Sequence, residues 1–230
     1  MTRTFVLIHS PLVGPATWSA LAEEFQRRSV TTVVPDLDGD ETDPTPLWRQ
    51  HVRPAADALR ATRGEVVLVG HSGAGALLPA VREAAGVRVA GYVFVDAGLP
   101  AAGPRGGTGA FAAELKAMHG EGRRFPEWTD ATLRELVPDP ARRSALRAQL
   151  RPQPMRFWDE EIPIFPGWPD APCAYLRFTP NAAYEEAAGQ ARRRGWPYVE
   201  LAGAHFHMLV RPAAVADALT SLVDRIGVPM

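Results

Sequence analysis

Val66-Val67-Leu68-Val69-Gly70-His71-Ser72-Gly73-Ala74-Gly75 sets one serine between an apolar run and a series of small residues. A hydroxyl becomes available for chemistry when a tight strand-to-helix turn lifts it clear of a sheet. Such a turn needs small neighbours two positions away on either side, so that strand and helix can approach. Gly70 and Ala74 meet that demand, with Gly75 next to the latter, and Ala74 departs by one methyl group from the usual Gly-x-Ser-x-Gly. Ser72 is therefore a candidate nucleophile; its plainer role is to cap a helix after a buried strand. A serine hydroxyl is a weak nucleophile until a base takes its proton, so an imidazole must come within hydrogen-bond reach. His205 and His207, close together near the end of the chain, are the two candidates.

Groups so far apart in sequence need a framework that brings them together. The chain has 230 residues, 46% of them hydrophobic, enough for one globular domain with a sizeable core. Apolar runs at Phe5-Val6-Leu7-Ile8, Thr32-Val33-Val34, Val66 to Val69, Val89 to Val95, Cys173 to Phe178 and Tyr198 to Leu201 read as strands. Between them, Trp18, Leu21 and Phe25, then Ala55, Ala58 and Leu59, then Leu77, Leu78 and Val81, and later Tyr184 and Ala187 recur at helical spacing. A last helix starts near Pro212 and carries Val215, Leu219, Leu222 and Ile226 on one face. Near-continuous apolar strands alternating with helices predict an α/β fold: a doubly wound, mainly parallel six-stranded sheet covered on both faces.

The alternation stops between Leu99 and Ala171, where Phe111 to Met118, Leu133 to Val137 and Ala141 to Leu150 form short helical pieces. Asp139 and Pro140 open the last of these as cap and first turn. So long a stretch is more than a plain loop. The expectation is a helical cap over 99–171, inserted after the fourth strand of a core made of 1–98 and 172–230, above the strand ends where open parallel sheets bind ligands. Arg142, Arg143, Arg147, Arg151 and Arg156 read as a solvated helix face.

The net charge is −1, so there is no basic surplus for nucleic acid and no acidic tail. A single cysteine, Cys173, leaves no intramolecular disulfide and fits a reducing compartment. Phe5 to Ile8 is too short for a signal-peptide core, and no run reaches membrane-spanning length. His205-x-His207 has no carboxylate or cysteine at ligand spacing, so no metal is expected. These features predict a cytoplasmic protein, monomer or homodimer, with a small-molecule substrate, no cofactor, and no nucleic-acid or membrane partner.

Three blocks carry a family resemblance: Val6-Leu7-Ile8-His9-Ser10-Pro11 through Trp18, the turn at Ser72, and Gly203-Ala204-His205-Phe206-His207-Met208-Leu209 followed by Arg211-Pro212. In order and spacing the chain resembles a small α/β-hydrolase, nearest the compact branch that holds plant methylesterases and hydroxynitrile lyases. The resemblance implies His205 as the base, because the family places it six residues before an Arg-Pro pair. His207 is then a pocket or packing residue and His71 a structural one.

The family's usual acid position, in the loop after the next-to-last strand, falls on Asn181, whose amide cannot stabilise an imidazolium as a carboxylate does. Members that place the acid after the strand following the elbow imply Asp96 instead. The resemblance also implies an oxyanion hole with the Gly73 amide as one donor. The other would come from position 11, but Pro11 has no amide hydrogen. Either Leu12 donates, or the Ser10 hydroxyl substitutes, or the second donor is missing. His9, Pro11, His71, Trp128, Trp158 and His207 are candidate pocket residues.

The implied activity is hydrolysis of a small apolar ester, lactone or thioester through a Ser-His-acid triad and an acyl-enzyme. With Pro11 in the oxyanion loop, a lyase, cyclase or isomerase, or a ligand sensor using the same pair, is the alternative. A dinucleotide-binding role is the third: Gly70-x-Ser72-x-x-Gly75, with Asp96 downstream, echoes Gly-x-Gly-x-x-Gly. Ser72, however, stands where a glycine must admit the pyrophosphate.

Overall fold

In the computed structural model, which describes residues 3–228, the apolar runs become six strands: β1 (Arg3–Ile8), β2 (Thr31–Val33), β3 (Glu65–His71), β4 (Gly91–Val95), β5 (Cys173–Thr179) and β6 (Tyr198–Ala202). All pair in parallel, in the order β2-β1-β3-β4-β5-β6. The expected core segments extend to residues 1–2 and 229–230, which lie outside the described residues.

Parallel strands need helical crossovers, and the chain supplies α1 (Ser19–Arg27), α2 (Leu47–Ala61) and α3 (Leu78–Ala85) after the first three strands. Between β4 and β5 lie α4 (Ala110–Gly120), α5 (Asp130–Leu136), α6 (Pro140–Arg147) and α7 (Met155–Asp159). After β5 comes α8 (Glu185–Arg193); after β6, the single turn α9 (His207–Val210) and α10 (Pro212–Arg225).

Side chains alternate faces along each strand. Phe5, Leu7, Val67, Val69, Val93 and Val95 pack with α1 and α10 through Leu21, Phe25, Leu219 and Leu222. Val6, Ile8, Val66, Leu68, Tyr92 and Phe94 pack on the opposite face with α2, α3 and α8 through Leu59, Val81 and Ala188. The central strands β1, β3, β4 and β5 are buried on both faces, which is why they read as unbroken apolar runs, whereas the edge strands β2 and β6 are partly exposed. Truncating fully buried Leu68 to alanine would leave a cavity in this layer at a cost of about 2–5 kcal/mol.

The helix expected after the serine begins as a 3-10 turn over Ser72–Leu77 and becomes regular at Leu78. Its tightness reflects crowding: a Cβ on Gly75 would lie 2.1 Å from the Gly98 carbonyl oxygen.

The 99–171 segment is tied to the core at several points. Leu133, Val137 and Leu146 join the α1/α10 core, whereas Leu115, Phe157 and Trp158 cluster with Leu12 and Leu47. The short α7 has no amphipathic period long enough to read from sequence. Of the arginines expected on a solvated face, Arg147 is exposed, but others are not. Arg143 is buried, bonding Asp130 (3.0 Å) and the Val137 and Pro138 carbonyls, and Arg151 pairs with Asp36 at 2.7 Å. No helix among the described residues is long and apolar enough to cross a membrane.

Candidate active site

Ser72 is the first residue beyond β3 and sits at φ +58°, a left-handed conformation that non-glycine residues rarely adopt. A Cβ on Gly70 would lie 3.2 Å from the Ala74 carbonyl carbon and the Gly75 Cα, so a larger residue there would press the helix start away from the strand by a few tenths of an ångström. The Ala74 methyl, by contrast, is fully buried in the α2/α3 core, which accounts for the one-methyl departure in the motif.

Asp96, just past the end of β4, also has positive φ (+43°) and is fully buried. Its turn is clamped by Tyr175, whose hydroxyl accepts from the Ala97 amide (3.1 Å) and donates to the Ala97 carbonyl (2.7 Å). The Asp96 carboxylate meets His205 Nδ1 at 2.6 Å and accepts from Asn181 Nδ2 at 2.5 Å and from the Phe178 amide at 3.3 Å. The carboxylate thus sets the Nδ1–H tautomer and leaves the Nε2 lone pair free. Asn181 Nδ2 lies 3.3 Å from His205 Nδ1, a contact between two donors rather than a hydrogen bond. The two sequence positions weighed for the acid converge on one imidazole, with a carboxylate at one and an amide at the other.

The Ser72 hydroxyl hydrogen-bonds the Tyr184 phenol at 2.9 Å instead of His205. Tyr184 stacks on the His205 ring with centroids 5.4 Å apart, and burial pushes its hydroxyl up to about 12. No sequence motif singles out Tyr184. It closes a 3-10 turn, Ala182–Tyr184, that Asn181 caps through its side chain.

At the oxyanion loop, the Leu12 amide donates to Ser10 Oγ at 3.3 Å. A Cβ on Gly73 would lie 3.2 Å from the same oxygen, so Ser10 Oγ faces the Gly73 backbone. A hydroxyl whose oxygen accepts from Leu12 is free to point its own hydrogen elsewhere. The loop is held by the segment above: Gln153 Nε2 donates to the Pro11 carbonyl (2.9 Å) and the Arg151 amide to the Leu12 carbonyl (2.9 Å).

A cavity of about 630 Å³ opens between the strand ends and the 99–171 segment. Ser10, Ser72, Gly73, Asn181, Tyr184 and His205 line its polar wall; Leu12, Leu99, Phe111, Phe125, Trp128, Phe157 and Trp158 line the apolar one. Arg105 also borders it. A second hollow of about 450 Å³ lies at the opposite end of the strands, beside Glu65, Arg88 and Asp170, away from these groups.

Four of the residues read from sequence as pocket candidates do not line the cavity. His9 is buried beneath the loop, donating from Nδ1 to the Ser10 carbonyl (2.8 Å) and accepting at Nε2 from the Leu37 amide (3.1 Å). Burial lowers it to about 4. Pro11 points its carbonyl at Gln153. His71 is fully buried and donates to the His205 carbonyl (2.9 Å); burial first, and the neighbouring His205 second, keep it neutral well below the usual histidine range. His207 packs edge-on against Phe178, and a Cβ on Gly203 would collide with its ring, so the tight loop is what seats it there.

A model of the alpha/beta hydrolase family matches residues 5–218. No curated protein sequence is detectably similar to the chain. Among solved structures, an extracellular alpha/beta-hydrolase from a Paenibacillus species, described as homologous in structure and function to tobacco salicylic acid binding protein 2, superposes with TM-score 0.74 at 21% identity over 95% of this chain and 98% of its own. Tomato methylketone synthase I with bound 2-tridecanone gives 0.73 at 15% identity over 98% and 99%. A pyrethroid hydrolase from Sphingobium faniae gives 0.71 at 21% identity over 97% and 98%. At such identities the likeness is one of fold.

Proposed function

The chain belongs to the alpha/beta hydrolase family, and from its site we propose that it is a serine hydrolase cleaving a small ester, lactone or thioester with an apolar portion. The observation that carries this reading is the 2.6 Å contact of His205 Nδ1 with buried Asp96, in a cavity that also holds Ser72 at the apex of a strained turn. In the proposed reaction, Ser72 Oγ attacks the substrate carbonyl while His205 Nε2 takes its proton, and Asp96 steadies the imidazolium. The negative oxygen of the tetrahedral intermediate accepts from the Gly73 amide and the Ser10 hydroxyl. The leaving alcohol or thiol departs with the proton from His205. Water, deprotonated by the same imidazole, then cleaves the acyl-enzyme.

The Ser72–Tyr184 hydrogen bond fits a resting state, in which the phenol occupies the serine until substrate enters. A labelled fluorophosphonate should modify Ser72 and nothing else. Ser72→Ala should abolish labelling and lower ester turnover by about a millionfold. Labelling that persists in Ser72→Ala would exclude this function.

A second reading rests on the absence of an amide at Pro11: proton transfer by Ser72 and His205 in a lyase, cyclase or isomerase, or ligand sensing without turnover. Rapid stoichiometric fluorophosphonate labelling with no hydrolysis of any ester would favour it.

A further inference from the structure

We propose that Arg105 binds a carboxylate on the substrate, so that the molecule cleaved at Ser72 is an anionic ester or thioester with an apolar body. This rests on the serine-hydrolase reading and narrows its substrate class.

Among the described residues, Arg105 is the only permanently charged side chain lining the cavity that holds Ser72 and His205. Its guanidinium carbon lies 3.8 Å from the Phe157 ring centroid, and Nη1 is shut off from solvent without a hydrogen-bond partner. Among the described residues it forms no ion pair. The nearby carboxylate of Glu160 is already engaged, its two oxygens accepting from the Leu47 (2.6 Å) and Trp48 (2.8 Å) amides at the start of α2. Desolvation lowers Arg105 only to about 9, so it remains a cation at neutral pH.

Arg105 as a whole is half-buried, but a guanidinium nitrogen removed from water without a partner is costly, and an aromatic face compensates only in part while leaving that donor unmet. A guanidinium fork matches a carboxylate with two parallel hydrogen bonds. The fork is also pre-positioned. The Arg105 amide donates to the Glu160 carbonyl (3.0 Å) and the Gly106 amide to the Trp158 carbonyl (2.9 Å). A Cβ on Gly106 would press on Leu115 and Trp158 at 3.2 and 3.3 Å, so this ribbon lies flat on the cavity wall. A cavity with a nucleophile at one side, apolar walls and one unmatched cation describes an amphiphilic anion.

The test compares 4-nitrophenyl half esters of succinate, glutarate, adipate and pimelate with neutral esters in which an isopropyl group replaces the free carboxylate. For at least one chain length, the wild type should prefer the anion by about tenfold or more in kcat/KM. Arg105→Met should lower that value by about 10–100-fold and leave the neutral ester within about threefold, and Arg105→Lys should restore part of the loss. Preference for the neutral ester at every length, or an equal loss on both series, overturns the proposal.

Calorimetry with the four free dicarboxylates keeps the two readings apart, since it needs no turnover. Binding to the wild type that weakens at least about tenfold in Arg105→Met supports the carboxylate site even if Ser72 proves unreactive. No binding by any of them overturns it. Should Arg105→Met fail to fold, wild-type chain-length preference and Arg105→Lys decide by the same criteria.

Discussion

The Tyr184 phenol lies 2.9 Å from the Ser72 hydroxyl while its ring stacks on His205. With its acidity reduced by burial, to about 12, the phenol stays protonated at neutral pH and can donate to Ser72 Oγ. A serine oxygen that accepts from a phenol is a poorer nucleophile. Tyr184→Phe should therefore speed fluorophosphonate labelling of Ser72, by about 2–10-fold for the loss of one neutral hydrogen bond. Slower labelling would instead show that the phenol stabilises the transition state.

Asp96 and Asn181 occupy neighbouring places against one imidazole, which permits a rescue experiment. Asp96→Asn should lower kcat by about a thousandfold or more, because an amide neither enforces the Nδ1–H tautomer nor balances the imidazolium. Adding Asn181→Asp should recover at least about tenfold, since position 181 stands 3.3 Å from His205 Nδ1. The readout is kcat on a 4-nitrophenyl ester, with thermal melting to verify folding. A double variant no faster than Asp96→Asn would show that only the β4 position can orient the base.

Ser10 carries the second oxyanion contact in the proposed mechanism. The Leu12 amide is occupied by Ser10 Oγ, and Pro11 offers none. Removing the hydroxyl by Ser10→Ala should cost about a hundredfold in kcat with little change in KM, the signature of a donor used in the transition state. An unchanged kcat would mean that the Leu12 amide, released by the substitution, takes over the role.

The framework was legible in the sequence because its signals are local. Phe5 to Ile8 and Val66 to Val69 are apolar on both faces and alternate with helical segments, the combination that a parallel sheet covered twice asks for. The turn at Ser72 was legible because close approach of strand and helix demands Gly70 and Gly75. Side-chain chemistry alone favours Asp96 over Asn181, because an amide cannot balance an imidazolium; position does not separate them, since both project towards one place from adjacent strand ends. Tyr184, read only as a helical position, and Arg105, not singled out at all, were missed as site residues for a different reason. One closes a short 3-10 turn and the other lies in an aperiodic loop, and each acquires meaning only from residues far along the chain. The same limit applies to His9 and His71. Motif position put them near the pocket, but the satisfied hydrogen bonds of His9 and the complete burial of His71 place them beneath it.

His9 and His71, together with His51, buried on the inner face of α2, make stability depend on pH. Desolvation lowers His9 to about 4 and His51 to about 3, and places His71 lower than its ordinary value as well. Each folded-state value lies below that of the unfolded chain, near 6.5. Their contribution is therefore fully present above about pH 6.5 and is lost as pH falls towards the folded values, where the unfolded chain takes up protons the fold refuses. Between pH 6 and 5, ahead of the ordinary carboxylate range, each such histidine adds roughly 1.4 kcal/mol of lost stability per pH unit. The urea midpoint should be flat from pH 8 to 7 and drop steeply from 6.5 to 5. Replacing His51 with asparagine should make that drop shallower, even if it lowers the midpoint at pH 7.5. A midpoint constant down to pH 5 would mean that these imidazoles titrate alike in folded and unfolded chains.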